Sequence, residues 1–444
     1  LVPDGQWVVI TGQNLQNALQ ISFNGVPATL KSALYSQNNA VVQIPAIVFS
    51  TIDTNKLNTI EYTTPAGTTT FSFKLTPATP IIVAISNVFA NPGDSVFIYG
   101  ANLVLVQKFS YGGTNIAKSN SNLYGTALGF VMPTPAPTSG DVVVTTKSGT
   151  AIFKIVATPT ITGVSNENAN SGDSVYIYGT YLKSIQTFTF AGASITSFVS
   201  ADDGSFVGFI LPKITQIGPV SITTKFGTAT TVYKVNDIAG LGSISNWEWS
   251  GNFNWQWWGG ATLNSGDPSS GWPSYNPDFP GNSSLYMSLK NSVLSPDEGN
   301  TYSNYAILMN GAQWVPAANI NSPVSEWAFK MEINIPQQWN GGSLVIQSGN
   351  NTYIYRGEPW QVSATTTAPY KTKGWITITI PFTEFRKTDA KLGDGKGASL
   401  TKFSDLLGTS GNSGCTVYMH NYSTSKTATG FYGAFDNLRV VKIK

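Results

Sequence analysis

Short runs of alternating apolar and polar residues fill the first half of this chain, and each run stops at Gly, Pro or an Asn-Gly pair. Alternation of that kind sends successive side chains to opposite faces of a strand. The run Val42-Gln-Ile-Pro45 ends at a proline, as do Phe130-Val-Met-Pro133 and Phe209-Ile-Leu-Pro212. Phe23-Asn-Gly25, Tyr111-Gly-Gly113 and Phe190-Ala-Gly192 read as hairpin turns, and Gly67-Thr, Gly149-Thr and Gly227-Thr each sit between Val/Ile/Thr-rich runs. No helical periodicity accompanies them. The pattern predicts about seven short strands per unit of about 80 residues, a small immunoglobulin-like sandwich.

The units are copies of one another. Pro92-Gly-Asp-Ser-Val-Phe-Ile-Tyr-Gly-Ala-Asn-Leu103 recurs as Ser171-Gly-Asp-Ser-Val-Tyr-Ile-Tyr-Gly-Thr-Tyr-Leu182, and more loosely as Pro3-Asp-Gly-Gln-Trp-Val-Val-Ile-Thr-Gly-Gln-Asn-Leu15. The second and third units open with Ile85-Ser-Asn and Val164-Ser-Asn, whereas the first lacks this opening and reads as N-terminally trimmed. The repeat resembles the IPT/TIG immunoglobulin-like domains, which implies a spacer role. Three such domains are expected, at 1–78, 79–157 and 158–238.

From about residue 239 to 444 the pattern changes. Trp327-Ala-Phe-Lys-Met-Glu-Ile333, Ser343-Leu-Val-Ile-Gln347, Trp375-Ile-Thr-Ile-Thr-Ile380, Val417-Tyr-Met-His420 and Gly433-Ala-Phe-Asp-Asn-Leu-Arg-Val-Val441 read as strands separated by Gly, Pro, Asn and Ser loops. The expected fold class is therefore all-β: tandem immunoglobulin-like sandwiches followed by a jelly-roll-like C-terminal sandwich.

Composition narrows the functional classes. Charged residues make up only 11 % of the chain and the formal net charge is +2, which excludes the clustered basic footprint of a nucleic-acid binder. A single cysteine, Cys415, excludes an intrachain disulfide. Of 12 tryptophans only Trp7 precedes the C-terminal region. A flat indole ring matches the apolar C–H face of a pyranose, and each such platform contributes about 1 kcal/mol by analogy with aromatic pairs.

Strand alternation assigns Trp327 to the core, and Trp247, Trp249, Trp255 and Trp257 to packing roles. Trp375 reads equally as a solvent-facing ring and as a cap on the sandwich. Trp272, Trp314, Trp339 and Trp360 lie in loop-like segments beside hydrogen-bonding residues, where recognition concentrates. These four, with Trp258, Tyr275, Tyr355 and Arg356, are the candidate glycan-binding residues.

Spacers ahead of a tryptophan-rich sandwich resemble the surface glycan-binding proteins of Bacteroidetes polysaccharide-utilisation systems. Gly374-Trp-Ile-Thr-Ile-Thr-Ile-Pro-Phe382 and Phe435-Asp-Asn-Leu-Arg-Val-Val441 are similar to closing strands of their xyloglucan- or β-glucan-binding domains. The resemblance implies non-catalytic binding of a neutral polysaccharide by a monomer. It also implies a lipid anchor in the outer membrane on a preceding segment, a TonB-dependent transporter and a companion glycan-binding protein.

A host-binding adhesin is the alternative. A jelly-roll glycoside hydrolase fits less well, because no Glu-x-Asp-x-x-Glu strand is present and His420 is the sole histidine. No cofactor motif appears, and Asp278, Asp394 and Asp436 are the carboxylates available to a structural calcium.

Overall fold

The computed structural model describes residues 4–75, 78–137, 140–248, 255–257, 261–296 and 306–444. Two compact units divide the chain, Leu1–Ala157 and Thr158–Lys444. All named sheets are antiparallel.

The first unit holds two immunoglobulin-like sandwiches and the second opens with a third. In all three, the predicted turns close hairpins with two residues in the left-handed region: Asn24-Gly25, Gly112-Gly113 and Ala191-Gly192. The glycine ending each repeat has a packing cause. At Gly100 and Gly179 a Cβ would sit 1.8 Å from the carbonyl oxygens of Ile81 and Thr160, on the opening strands Ile81–Ile85 and Thr160–Val164. Gly12 meets no such carbonyl, and its strand Trp7–Thr11 pairs with Asn39–Gln43 in a two-stranded sheet.

The C-terminal domain is a two-sheet sandwich. Its strands are β1 (Ser243–Ser245), β2 (Trp255–Trp257), β3 (Ala261–Ser265), β4 (Leu285–Leu294), β5 (Ala306–Gln313), β6 (Trp327–Asn334), β7 (Ser343–Ser348), β8 (Ile354–Gly357), β9 (Ile376–Pro381), β10 (Asn412–His420) and β11 (Thr427–Lys442). One sheet runs β3-β4-β11-β6-β9, with β1 also on β11; the other runs β2-β5-β10-β7-β8. Phe329, Met331 and Ile333 of the first sheet and Leu344, Ile346, Val417 and Met419 of the second share the core between them. Trp327 and Trp375 are both buried there, so Trp375 caps the sandwich. Trp247 is core as well, with its indole N–H donating to the Phe435 carbonyl at 3.0 Å. Trp255 and Trp257 pair in register with Met309 and Ile307, while Trp249 and Trp258 lie outside the described residues.

The outer face of the first sheet is charged yet buried. Lys330, Glu332 and Arg439 are each at most 6 % exposed because the third immunoglobulin-like domain lies on them. Its Glu167 accepts from Lys330 Nζ and from Arg439 Nη2 at 2.7 Å. Arg439 also donates to both oxygens of Glu332, at 2.8 and 2.9 Å. Asn168 donates to Glu332 at 3.0 Å, and Lys330 Nζ sits 3.3 Å from the Tyr233 ring centroid.

Buried charges are tolerable only when paired and hydrogen-bonded in this way. Burial pulls the Lys330 ammonium down, with Glu167 opposing; Arg439 is held up by Glu332 and Glu167 against burial. The docking segment is local in sequence. Asn166-Glu-Asn-Ala-Asn170 occupies the repeat position of Asn87-Val-Phe-Ala-Asn91, so Glu167 and Asn168 stand where the second repeat has Val88 and Phe89.

Candidate functional site

The outer face of the second sheet is built differently. On β10 the inward residues Cys415, Val417 and Met419 alternate with Thr416, Tyr418 and His420. Register sets Tyr418 opposite Val345 on β7, and sets Val345 opposite Arg356 and Gln347 opposite Ile354 on β8. Val345, Ile354 and Tyr418 make a small apolar cluster of their own, with Tyr422 packed against it.

Around this cluster runs a groove of about 520 Å³. Tyr418, His420, Tyr422 and Ile354 line it, together with Gln347, Asn351, Thr352, Arg386, Lys387, Thr388 and Asp394. The His420 and Tyr422 rings lie 4.2 Å apart, and the Arg356 guanidinium lies 3.9 Å from the Tyr422 centroid. The Tyr418 hydroxyl donates to Gln347 Oε1 at 3.3 Å. Aromatic surface, amides, hydroxyls and cations thus share one concave face, the combination that small-ligand sites use to hold an apolar ring and orient its hydroxyls.

Arg356 is fixed from its far side by Glu358. That carboxylate accepts from Arg356 Nε at 2.6 Å, Lys396 Nζ at 2.7 Å and the Ser343 hydroxyl at 2.5 Å. Burial alone would raise the Glu358 carboxyl, but the Lys396, Ser343 and Arg356 contacts outweigh it and hold the group below its ordinary range. Tyr355, the next residue along β8, faces the opposite way toward the core, and burial pushes its phenol up to about 12.

Two of the sequence candidates are corrected. Trp314 is fully buried, with rings of Phe329 and Phe382 at 5.6 and 6.4 Å and its N–H donating to the Ser413 carbonyl at 3.1 Å. Trp339 is 1 % exposed, packs on Phe431 at 5.0 Å and donates to the Gly341 carbonyl at 2.7 Å. A ring with no free face cannot stack on a sugar. Trp314 continues the inward alternation of β5 from Ala312, and Trp339 lies in a connection folded back over the core. Trp360 is half-buried and its N–H is taken by the Gly342 carbonyl at 2.8 Å.

Trp272 and Tyr275 share the β3–β4 loop and are 69 % and 39 % exposed. Trp258 lies outside the described residues. Arg356 borders the groove, whereas Tyr418, His420 and Tyr422 were missed. Their alternation with Val417 and Met419 was the signal that a second, outward aromatic face existed.

The carboxylates considered for calcium have separate partners: Asp278 accepts from Tyr432, Asp394 from Thr388, and Asp436 from Asn282. Among the described residues no group of three or more His, Cys, Asp or Glu side chains is placed to hold a metal. No helix among them is long and apolar enough to cross a membrane.

Residues 237–442 match the family described as the surface glycan-binding protein B xyloglucan binding domain. The C-terminal domain belongs to this family. No curated protein matches the chain. A solved structure described as a crystal structure with xylogluco-oligosaccharide is 19 % identical over 99 % of this chain and 97 % of that one, with a TM-score of 0.65, and so shares the fold along its whole length. SGBP-B from a complex xyloglucan utilization locus in Bacteroides uniformis is 19 % identical over 82 % of this chain and all of its own (100 %), with a TM-score of 0.47. The surface glycan-binding protein PbSGBP-B from Prevotella bryantii is 16 % identical over 83 % and 100 %, also at 0.47.

Proposed function

We propose that the C-terminal domain captures a neutral β-glucan, such as xyloglucan or mixed-linkage glucan, without cleaving it. The observation that carries this reading is the groove on the second sheet, in a domain of a glycan-binding family. Tyr422 offers a partly exposed ring, and Tyr418 and His420 form the floor beneath it. Gln347, Asn351, Thr352 and Arg386 supply donors and acceptors for sugar hydroxyls along the same face. Stacking at about 1 kcal/mol per ring, with several hydrogen bonds and the cost of ordering, corresponds to affinities from roughly micromolar to millimolar. Trp272 and Tyr275 are proposed as a second, single-ring contact for the same polymer.

The wider reading we propose is supported by the match to a surface glycan-binding family. In this reading the protein works at the cell surface as a lipid-anchored monomer. It holds polysaccharide beside a TonB-dependent transporter and a companion glycan-binding protein. Electrophoresis through gels containing xyloglucan, mixed-linkage glucan, mannan or host glycans tests the core of the proposal. Retardation by a β-glucan with no release of reducing sugar is the expected result. Free migration through every neutral polysaccharide defeats the binding reading, and liberated reducing ends defeat the non-catalytic one.

A further inference from the structure

The second and third immunoglobulin-like domains each carry an outward aromatic pair at the same repeat position. On Ser95–Ala101 the inward Val96 and Ile98 alternate with Phe97 and Tyr99. On Ser174–Thr180 the inward Val175 and Ile177 alternate with Tyr176 and Tyr178. These four rings are between 40 and 44 % exposed. Resting on the glycan reading above, we propose that each pair is a stacking platform for neutral polysaccharide, additional to the groove of the C-terminal domain.

The rings are laid flat by a second feature of the repeat. Register places Gly129 directly opposite Phe97, and Gly208 directly opposite Tyr176. A Cβ at either glycine would meet ring carbons, at 3.1 and 2.9 Å, so each ring lies down over its glycine and leaves its other face to solvent. Phe97 and Tyr99 are near parallel, 19° apart with centroids at 6.4 Å, and present one two-ring surface. The first repeat has neither part: Val9 stands at the position of Phe97, Thr11 at that of Tyr99, and Val41 at that of Gly129. Ring and glycine therefore occur together or not at all. A free, flat aromatic face is what the apolar C–H side of a sugar ring packs on.

Charge and size select the occupant. The four strands of each sheet, in both domains, contain no Asp, Glu, Lys or Arg, which matches a neutral ligand. Four strands about 4.8 Å apart and about 20 Å long offer a face of roughly 400 Å². A stable protein interface takes about 800 Å² from each partner, so one such face is small for a protein and ample for a few sugar rings. The groove, at about 520 Å³, is the size of a single small-molecule site, so a polysaccharide held there extends well beyond it. Its free length is then at high effective concentration beside the rest of the chain, where weak platforms add avidity.

The test uses the full chain and the variant Phe97→Thr/Tyr99→Thr/Tyr176→Thr/Tyr178→Thr, which keeps strand-forming residues at all four positions. Electrophoresis through gels of long xyloglucan or mixed-linkage glucan should show affinity about tenfold weaker than wild type, while calorimetry with a short oligosaccharide shows no change. If the fourfold variant fails to fold, Phe97→Leu/Tyr176→Leu keeps apolar cover over the glycines without a flat ring, and should weaken long-polymer binding several-fold. Undiminished binding of the long polymer by the folded variant overturns the platforms, as does an equal loss for both ligands. So does wild-type self-association, in sedimentation, that the substitutions abolish without changing retardation, because the faces then serve a protein contact. In all three cases the groove stands. Wild-type protein that binds neither ligand overturns the glycan reading itself, and the platforms with it.

Discussion

The two outer faces of the C-terminal sandwich are made by the same alternation and meet opposite fates. On the first sheet the outward residues of β6 and β11 include Lys330, Glu332 and Arg439, and a neighbouring domain covers them. On the second sheet the outward residues of β7, β8 and β10 are Val345, Gln347, Ile354, Arg356, Tyr418 and His420, and they border a groove. Charge therefore marks the covered face and aromatic rings the open one, the reverse of what polarity alone suggests. The reason lies in the partner. Glu167 and Asn168 bring the complementary charge and amide, so the third immunoglobulin-like domain packs directly on the first sheet of the C-terminal sandwich, on the side away from the groove.

Breaking the covered face should have the largest effect. Glu167→Ala leaves Lys330 short of its partner and Arg439 half-paired, and should cost about 3–5 kcal/mol of stability in urea unfolding. Glycan affinity at temperatures where the variant is folded should stay unchanged. Trp314→Ala should cost a similar 3–5 kcal/mol through its cavity, again with affinity intact; a large affinity loss with full stability would restore Trp314 as a platform.

The open face should respond the other way. Tyr422→Ala should weaken β-glucan binding about tenfold, roughly 1.4 kcal/mol, with little change in melting temperature. An unchanged dissociation constant would move the binding surface off the second sheet.

A smaller effect concerns the support beneath that face. The Glu358 carboxyl is held below its ordinary value of 4.5. A depressed carboxylate stabilises the fold fully above the unfolded value and loses that contribution as pH falls through the folded one. The wild type should therefore lose stability below about pH 4.5 more steeply than Glu358→Gln, which is checked by melting curves across pH 3 to 6. The smallest change is expected from Trp272→Ala, a reduction of only a few-fold in affinity for long polysaccharide and none for a short oligosaccharide.

Much of the architecture could be read from local pattern. Hairpin turns at Asn24-Gly25 and Gly112-Gly113 need residues that accept the left-handed region, and composition advertises them. The core role of Trp327 followed from its alternation with Phe329 and Met331. The binding surface was less legible. Trp314 and Trp339 sit among Gly, Pro, Asn and Gln, and that setting resembles an exposed loop whether the chain runs over solvent or folds back onto the core.

The sequence by itself determined the all-β class and the tandem sandwiches, because strand alternation and turn chemistry act over a few residues. It also carried the Glu167-Asn168 replacement at a repeat position, without saying what that replacement was for. Only the tertiary structure decided which outward face is covered and which aromatic rings are plugs. Those outcomes depend on contacts between residues far apart in the chain, such as Glu167 with Arg439 and Arg356 with Tyr422, and spacing along the chain does not encode which distant surfaces meet.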